Sequence, residues 1–232
     1  MYRERPSSMP AGAVVWTRTA GDGSGGPLRV LPDGCTDLIW AGGQLLVAGP
    51  DTRAHLTHDS PGSSYAALRF APGTGPAVLG VPAHELRDLR VPLSDLWPSE
   101  AVRRLAERVA DADDRGRALE GLVADRMRDE APPDPKLSAI VAGLDRGRPV
   151  SAVARAVGLG ERGLHRRCLT AFGYGPKTLA RVLRLNRALD LARAHTAFAE
   201  VATVAGYADQ AHLAREVKAL AGVPLGVLVS PR

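Results

Sequence analysis

Arg162, His165 and Arg166 fall within one short stretch, and Asp209, Gln210, His212 and Arg215 form a second such set further along the chain. These side chains can hydrogen-bond base edges. Arginine matches the two acceptors of guanine, and glutamine pairs with adenine. Arg167, Lys177, Arg181 and Lys218 lie around them and suit phosphate oxygens, contacts that position a protein without specifying sequence. The chemistry implied is the reading of duplex DNA, and it requires elements that present both sets on one side.

Those elements are legible as a repeat. VSAVARAVGLGERGLHRRCLTAFGYGP (150–176) and FAEVATVAGYADQAHLAREVKALAGVP (198–224) share Ala154/Ala202, Gly158/Gly206 and Pro176/Pro224 at one offset, and Leu164/Leu213 and Arg166/Arg215 one residue later. Each copy has the form short helix, glycine turn, longer helix. This is the helix-turn-helix pattern, placed at 150–173 and 198–222. Val150, Val153, Ala154 and Val157, matched by Phe198, Val201, Ala202 and Ala205, form the packing face of each first helix. Ser151 is the expected N-cap of the first copy. Leu164 and Leu213 point inward. Pro176 opens a linking helix to about Ala194, of roughly 27 Å. That is near the ~34 Å repeat of one duplex turn, so one chain could set both probe helices in successive major grooves.

The segment GYADQAHLAREVKALAGVP resembles the signature of the AraC family of bacterial transcription regulators, and 150–176 resembles that family's first motif. The likeness covers about residues 136–228. LPDGCTDLIW (31–40), AGP (48–50), RFAPGTGPAVLGVPAHEL (69–86) and VPLSDLW (91–97) resemble the sensor region of some members. Two departures stand out. Cys168 and Val217 occupy positions where the family has an aromatic, and GVPLGVLVSPR lacks the family's Tyr-Arg pair after the proline. The resemblance implies double-stranded promoter DNA as partner and a small-molecule effector held in a cupin-like N-terminal barrel. It also implies activation, the commoner family role, which would bring contact with RNA polymerase.

Charge agrees with this division. Residues 1–134 hold 15 Arg and no Lys against 19 Asp and Glu, a net −4, whereas 135–232 hold 15 Lys and Arg against 6 Asp and Glu, a net +9. A basic module beside an acidic one is expected where only one meets phosphate. In residues 1–97 the apolar runs LRVL (28–31), TDLIW (36–40), QLLVAG (44–49) and YAALRF (65–70) alternate with Gly/Pro turns and a GDGSGG loop (21–26), which predicts antiparallel strands. Residues 99–130 read as a helical hairpin, equally suited to pairing two copies as a homodimer and to packing on the barrel. Residues 131–135 (APPDP) read as a stiff linker. The expected organisation is therefore α+β. A β-rich sensor spans 1–97, the hairpin and linker 98–134, and an all-α tandem helix-turn-helix domain 135–232.

Within the sensor, Trp40, Asp37, Tyr65 and Phe70 are the candidate effector contacts, though each aromatic also suits core packing. His55 and His58 have a ligand-like spacing, but residues three apart on a strand face opposite sides, and no metal or cofactor is expected. Two separated cysteines, Cys35 and Cys168, form no CxxC pair. With no signal-peptide core and no run of 18 apolar residues, the expectation is a cytoplasmic protein with no membrane partner. The alternative is an enzyme, either a cupin-type metalloenzyme or a DNA-repair protein fused to a DNA-binding tail. No clustered Cys set, GxSxG, P-loop or HxH pair supports it, and no catalytic residue is expected.

Overall fold

Strand β4 (Thr36–Ala41) buries every second residue, Thr36, Leu38 and Trp40, and so has one face turned to a core. Its neighbours extend that face into a six-stranded antiparallel sheet of order β1-β2-β7-β4-β5-β8, from β1 (Tyr2–Pro6), β2 (Val14–Thr19), β5 (Gln44–Ala48), β7 (Ser64–Phe70) and β8 (Arg90–Pro92). A separate ladder pairs β3 (Leu28–Val30) with β6 (His55–Thr57). The computed structural model describes residues 1–9, 12–21, 27–128 and 134–230. Positions 22–26 of the GDGSGG loop and 131–133 of the linker lie outside the described residues.

The N-terminal half is thus the expected antiparallel β unit. Four strands coincide with the four apolar runs. The others carry weaker patterns: β1 is a charged edge strand, β2 is half-buried, and β6 and β8 have three residues each. Helices α1 (Gly75–Leu79), α2 (Ser99–Ala110) and α3 (Arg115–Met127) cover the apolar face of the sheet. Leu38, Trp40, Val47, Leu68 and Phe70 pack there with Val102, Val109, Leu119 and Val123 in one cluster. The hairpin therefore places its apolar face on the sheet, and the outward side of α2 carries the ion pairs Glu100–Arg104 and Arg103–Glu107.

The C-terminal half is all helical: α4 (Pro135–Asp145), α5 (Val150–Ala156), α6 (Glu161–Phe172), α7 (Pro176–Arg193), α8 (Phe198–Ala205), α9 (Gln210–Ala221) and α10 (Leu225–Val229). Asp134 caps α4 by accepting from the Lys136 amide at 3.0 Å. The N-cap of α5 is Pro149, not Ser151, which lies inside the first turn. The proline fixes the extended entry to the helix without needing a side-chain cap. Leu179, Val182 and Leu183 from the first half of α7 complete a cluster with α4–α6. Leu185, Ala188, Leu189 and Ala192 from its second half complete another with α8–α10. One 18-residue helix thus supplies a wall to each of the two motif cores. Cys168 and Val217, where an aromatic was expected, are fully buried, one in each core.

Candidate nucleic-acid interface

Helices α6 and α9 have 12 residues each and bury the same positions: Leu164, Cys168, Ala171 and Phe172 in one, Leu213, Val217, Leu220 and Ala221 in the other. Each ends on a left-handed glycine, Gly173 (φ 81°) and Gly222 (φ 74°), a conformation glycine adopts at little cost. Counting from these shared ends, Arg166 and Arg215 are equivalent and both exposed. The remaining outward positions differ. Arg162 corresponds to Ala211, His165 to Ala214, and Arg167 to Glu216. The two helices share a scaffold but present different side chains, as two readers of different base pairs would.

The predicted residues divide by what already holds them. Asp209 is the N-cap of α9, and its carboxylate accepts from the His212 amide at 2.6 Å. His212 is half-buried. Its Nδ1 accepts from the Ala208 amide at 3.3 Å, and its ring meets Tyr207 edge-on at 5.4 Å. Both side chains are thus committed to building the start of α9. Gln210, Arg215 and Lys218 stand exposed on the same helix, as do Arg162 on α6 and Lys177 in the first turn of α7. His165 is exposed too, with its imidazole over Gly175, where a Cβ would lie 2.7 Å from Nε2.

Four other arginines, Arg167, Arg181, Arg184 and Arg187, have anionic partners. Arg167 is ion-paired with Asp134. Arg181 donates to Glu216 through Nε at 2.8 Å and Nη2 at 3.2 Å, and Arg184 lies 3.8 Å from the same carboxylate. These arginines hold the Glu216 carboxyl below its usual range. Arg187 bonds Asp145 at 2.8 Å and ties α7 to α4. Sequence reading missed Glu216, Arg184 and Arg187, because their partners lie on other helices and no local spacing marks them. Arg166 and Arg167 also line a groove of about 520 Å³ between α6 and Thr74, Pro76 and Ala77 of the N-terminal half.

The four proposed effector contacts do not form one site. Trp40 and Phe70 are buried under α2 and α3, with Trp40 Nε1 donating to the Ala106 carbonyl at 3.3 Å. Asp37 and Tyr65 occupy alternate positions on the opposite face. There Asp37 accepts from Trp16 Nε1 at 2.6 Å and lies 3.4 Å from Arg69. Burial pushes the Asp37 carboxyl up to about 6, against the pull of Arg69 and Trp16. Among the described residues no group of three His, Cys, Asp or Glu side chains is arranged to hold a metal ion, and no helix is long and apolar enough to cross a membrane.

Residues 153–229 match the family model of a helix-turn-helix domain, from within α5 to the end of α10. The C-terminal module is an AraC-type helix-turn-helix domain. Residues 13–92, from β2 to β8, match DUF6597, a domain of unknown function. No curated protein gives a match. Among solved structures, a lysine-to-alanine variant of apo ToxT from Vibrio cholerae is 12% identical with a TM-score of 0.49, covering 97% of this chain and 98% of its own. ToxT from Vibrio cholerae O395 is 10% identical with a TM-score of 0.48, covering 94% and 99%. Wild-type ToxT with a bound unsaturated fatty acid is 10% identical with a TM-score of 0.48, covering 97% and 96%. In the AraC-type domain described here, α6 and α9 are the second helices of the two motifs, and α7 is the spacer between them.

Proposed function

We propose that the protein is a sequence-specific transcription regulator that reads two neighbouring stretches of duplex DNA, one with α6 and one with α9. The observation that carries this is the equivalence of Arg166 and Arg215 on two helices with matching buried positions, joined by one 18-residue helix. At 1.5 Å per residue that helix is about 27 Å long, close to the ~34 Å turn of the duplex. Arg162, Arg166, Gln210 and Arg215 are the proposed base readers, with His165 at the edge of the surface. Lys177 and Lys218 are the proposed phosphate contacts. Arg167 and Arg181 join them only by leaving Asp134 and Glu216.

The N-terminal half is proposed to make DNA binding respond to a small molecule. Supporting this, it packs directly against the AraC-type domain, for example through Gly73 against the Phe172 ring. In vitro selection from a random duplex library tests the reading. The expected outcome is a site with two preferred segments centred about one helical turn apart. A single short segment, or none, would contradict it.

A further inference from the structure

The two reading helices end at equivalent corners, and the N-terminal half grips both. At the end of α6, Gly173 lies against Pro50, where a Cβ would come 2.5 Å from the proline ring, and Arg87 Nη1 donates to the Gly173 carbonyl at 3.4 Å. At the end of α9, the Ala54 amide donates to the Leu220 carbonyl at 2.6 Å, and Arg29 Nη1 donates to the Ala221 carbonyl at 2.6 Å. The last carbonyls of a helix have no partner within it, and a guanidinium there also faces the negative end of the helix dipole. Pro50 and Ala54 belong to one short segment, roughly 14 Å long at full extension. That segment therefore spans from one motif to the other.

The segment is held stiffly. Buried Asp51 takes a bidentate pair from Arg90, both contacts at 2.5 Å. Thr52 donates its amide to Asp88 at 2.7 Å and its hydroxyl at 2.9 Å. Asp88 itself stands at φ 61°, a left-handed position uncommon for a residue with a side chain. Gly49 admits nothing larger, because a Cβ there would sit 1.8 Å from the Leu86 carbonyl oxygen. This accounts for the AGP tripeptide at 48–50, which the DNA-reading surface does not use.

We infer that Pro50–Ala54 is a rigid bridge fixing the placement of α6 relative to α9. Asp51, Arg90 and Arg29 are then positioning residues that set the half-site spacing the protein accepts without touching DNA. The inference rests on α6 and α9 being the base readers. Two linked readers bind as one unit only at the spacing their linkage allows, and loosening the linkage relaxes that demand.

The test uses the full chain. Gadolinium labels on ketone side chains introduced at Glu161 and Ala219 report the α6–α9 distance by pulsed electron resonance without DNA. The wild type is expected to give one narrow distribution. Arg29→Met, at the corner of α9, and Asp51→Asn, within the bridge, are each expected to widen it about twofold, and Arg29→Lys to restore it. On selected sites with one base pair inserted between segments, the wild type should lose roughly tenfold in affinity and the two loosened variants less than about threefold. An unchanged distance distribution in Arg29→Met would overturn the inference and leave α7 alone as the spacer. Equal affinity losses at every spacing would overturn it as well. A widened distribution in a chain with no DNA sequence preference would overturn the base-reading role of α6 and α9 and leave the bridge standing.

Discussion

Arg181 of α7 and Glu216 of α9 form a two-hydrogen-bond ion pair, Nε to Oε2 at 2.8 Å and Nη2 to Oε1 at 3.2 Å. The equivalent position in α6 is Arg167, paired in turn with Asp134. The two motifs thus carry opposite charges at the same site, and each charge is neutralised by a different neighbour. Cations that sequence alone assigns to phosphate are here engaged in holding helices together.

Glu216→Gln should release Arg181 and remove a negative charge from the reading face. The expected result is tighter non-specific binding, with the slope of log affinity against log salt steeper by about one phosphate contact. Fluorescence anisotropy of a labelled duplex across a salt series measures this. Weaker binding with an unchanged slope would mean that Arg181 is a structural residue only.

Asp209 and Arg215 sit on one helix but should fail differently. Arg215→Ala is expected to cost roughly 1–3 kcal/mol at one base pair of the selected site and to relax preference there. Asp209→Ala removes a helix cap and should cost about 1 kcal/mol of folding stability with the ranking of bases unchanged. Denaturant unfolding and a single-base-substitution binding series separate the two. A new base preference in Asp209→Ala would return that residue to the reading set.

Glu120 offers a pH test of how the first strand is fastened. It is buried and accepts from Arg5 at 3.1 and 2.8 Å, from the Ser7 hydroxyl at 2.6 Å and from the Ser8 amide at 2.7 Å. The Arg5 bonds first, then those from Ser7 and Ser8, hold its carboxyl down to about 2 despite burial. The folded-state value lies below the ordinary one. The contribution is therefore present above the usual carboxylate range near 4.5 and is lost as pH falls toward about 2. Wild type should exceed Glu120→Gln by about 2 kcal/mol at neutral pH, with the gap closing on acidification. A gap that stays constant with pH would contradict the assignment.

The repeat was the most legible part of the chain, because buried residues must recur wherever the same helix packs the same way. Leu164 and Leu213 mark that frame without any knowledge of the fold. The N-cap role of Asp209 was hidden for a physical reason: an acidic residue at a helix start satisfies backbone amides as readily as it meets a base. The Glu216–Arg181 pair joins residues on two helices, and no local pattern encodes it. The proposed grouping of Asp37 with Trp40 carried its own counter-signal, since strand residues three apart face opposite sides. Tyr65 and Phe70, five apart on β7, divide in the same way. Of the segment Pro50–Ala54 only Pro50 was marked, as the end of the AGP tripeptide, because its contacts with Gly173 and Leu220 join residues far apart in sequence.

Competition binding tests the central claim most directly. The purified chain is measured on its selected duplex and on a scrambled duplex of the same composition, at one physiological salt concentration. The account predicts a preference of at least about 10³-fold for the selected site, the lower bound typical of specific DNA-binding proteins. Equal affinity for the two duplexes would contradict it.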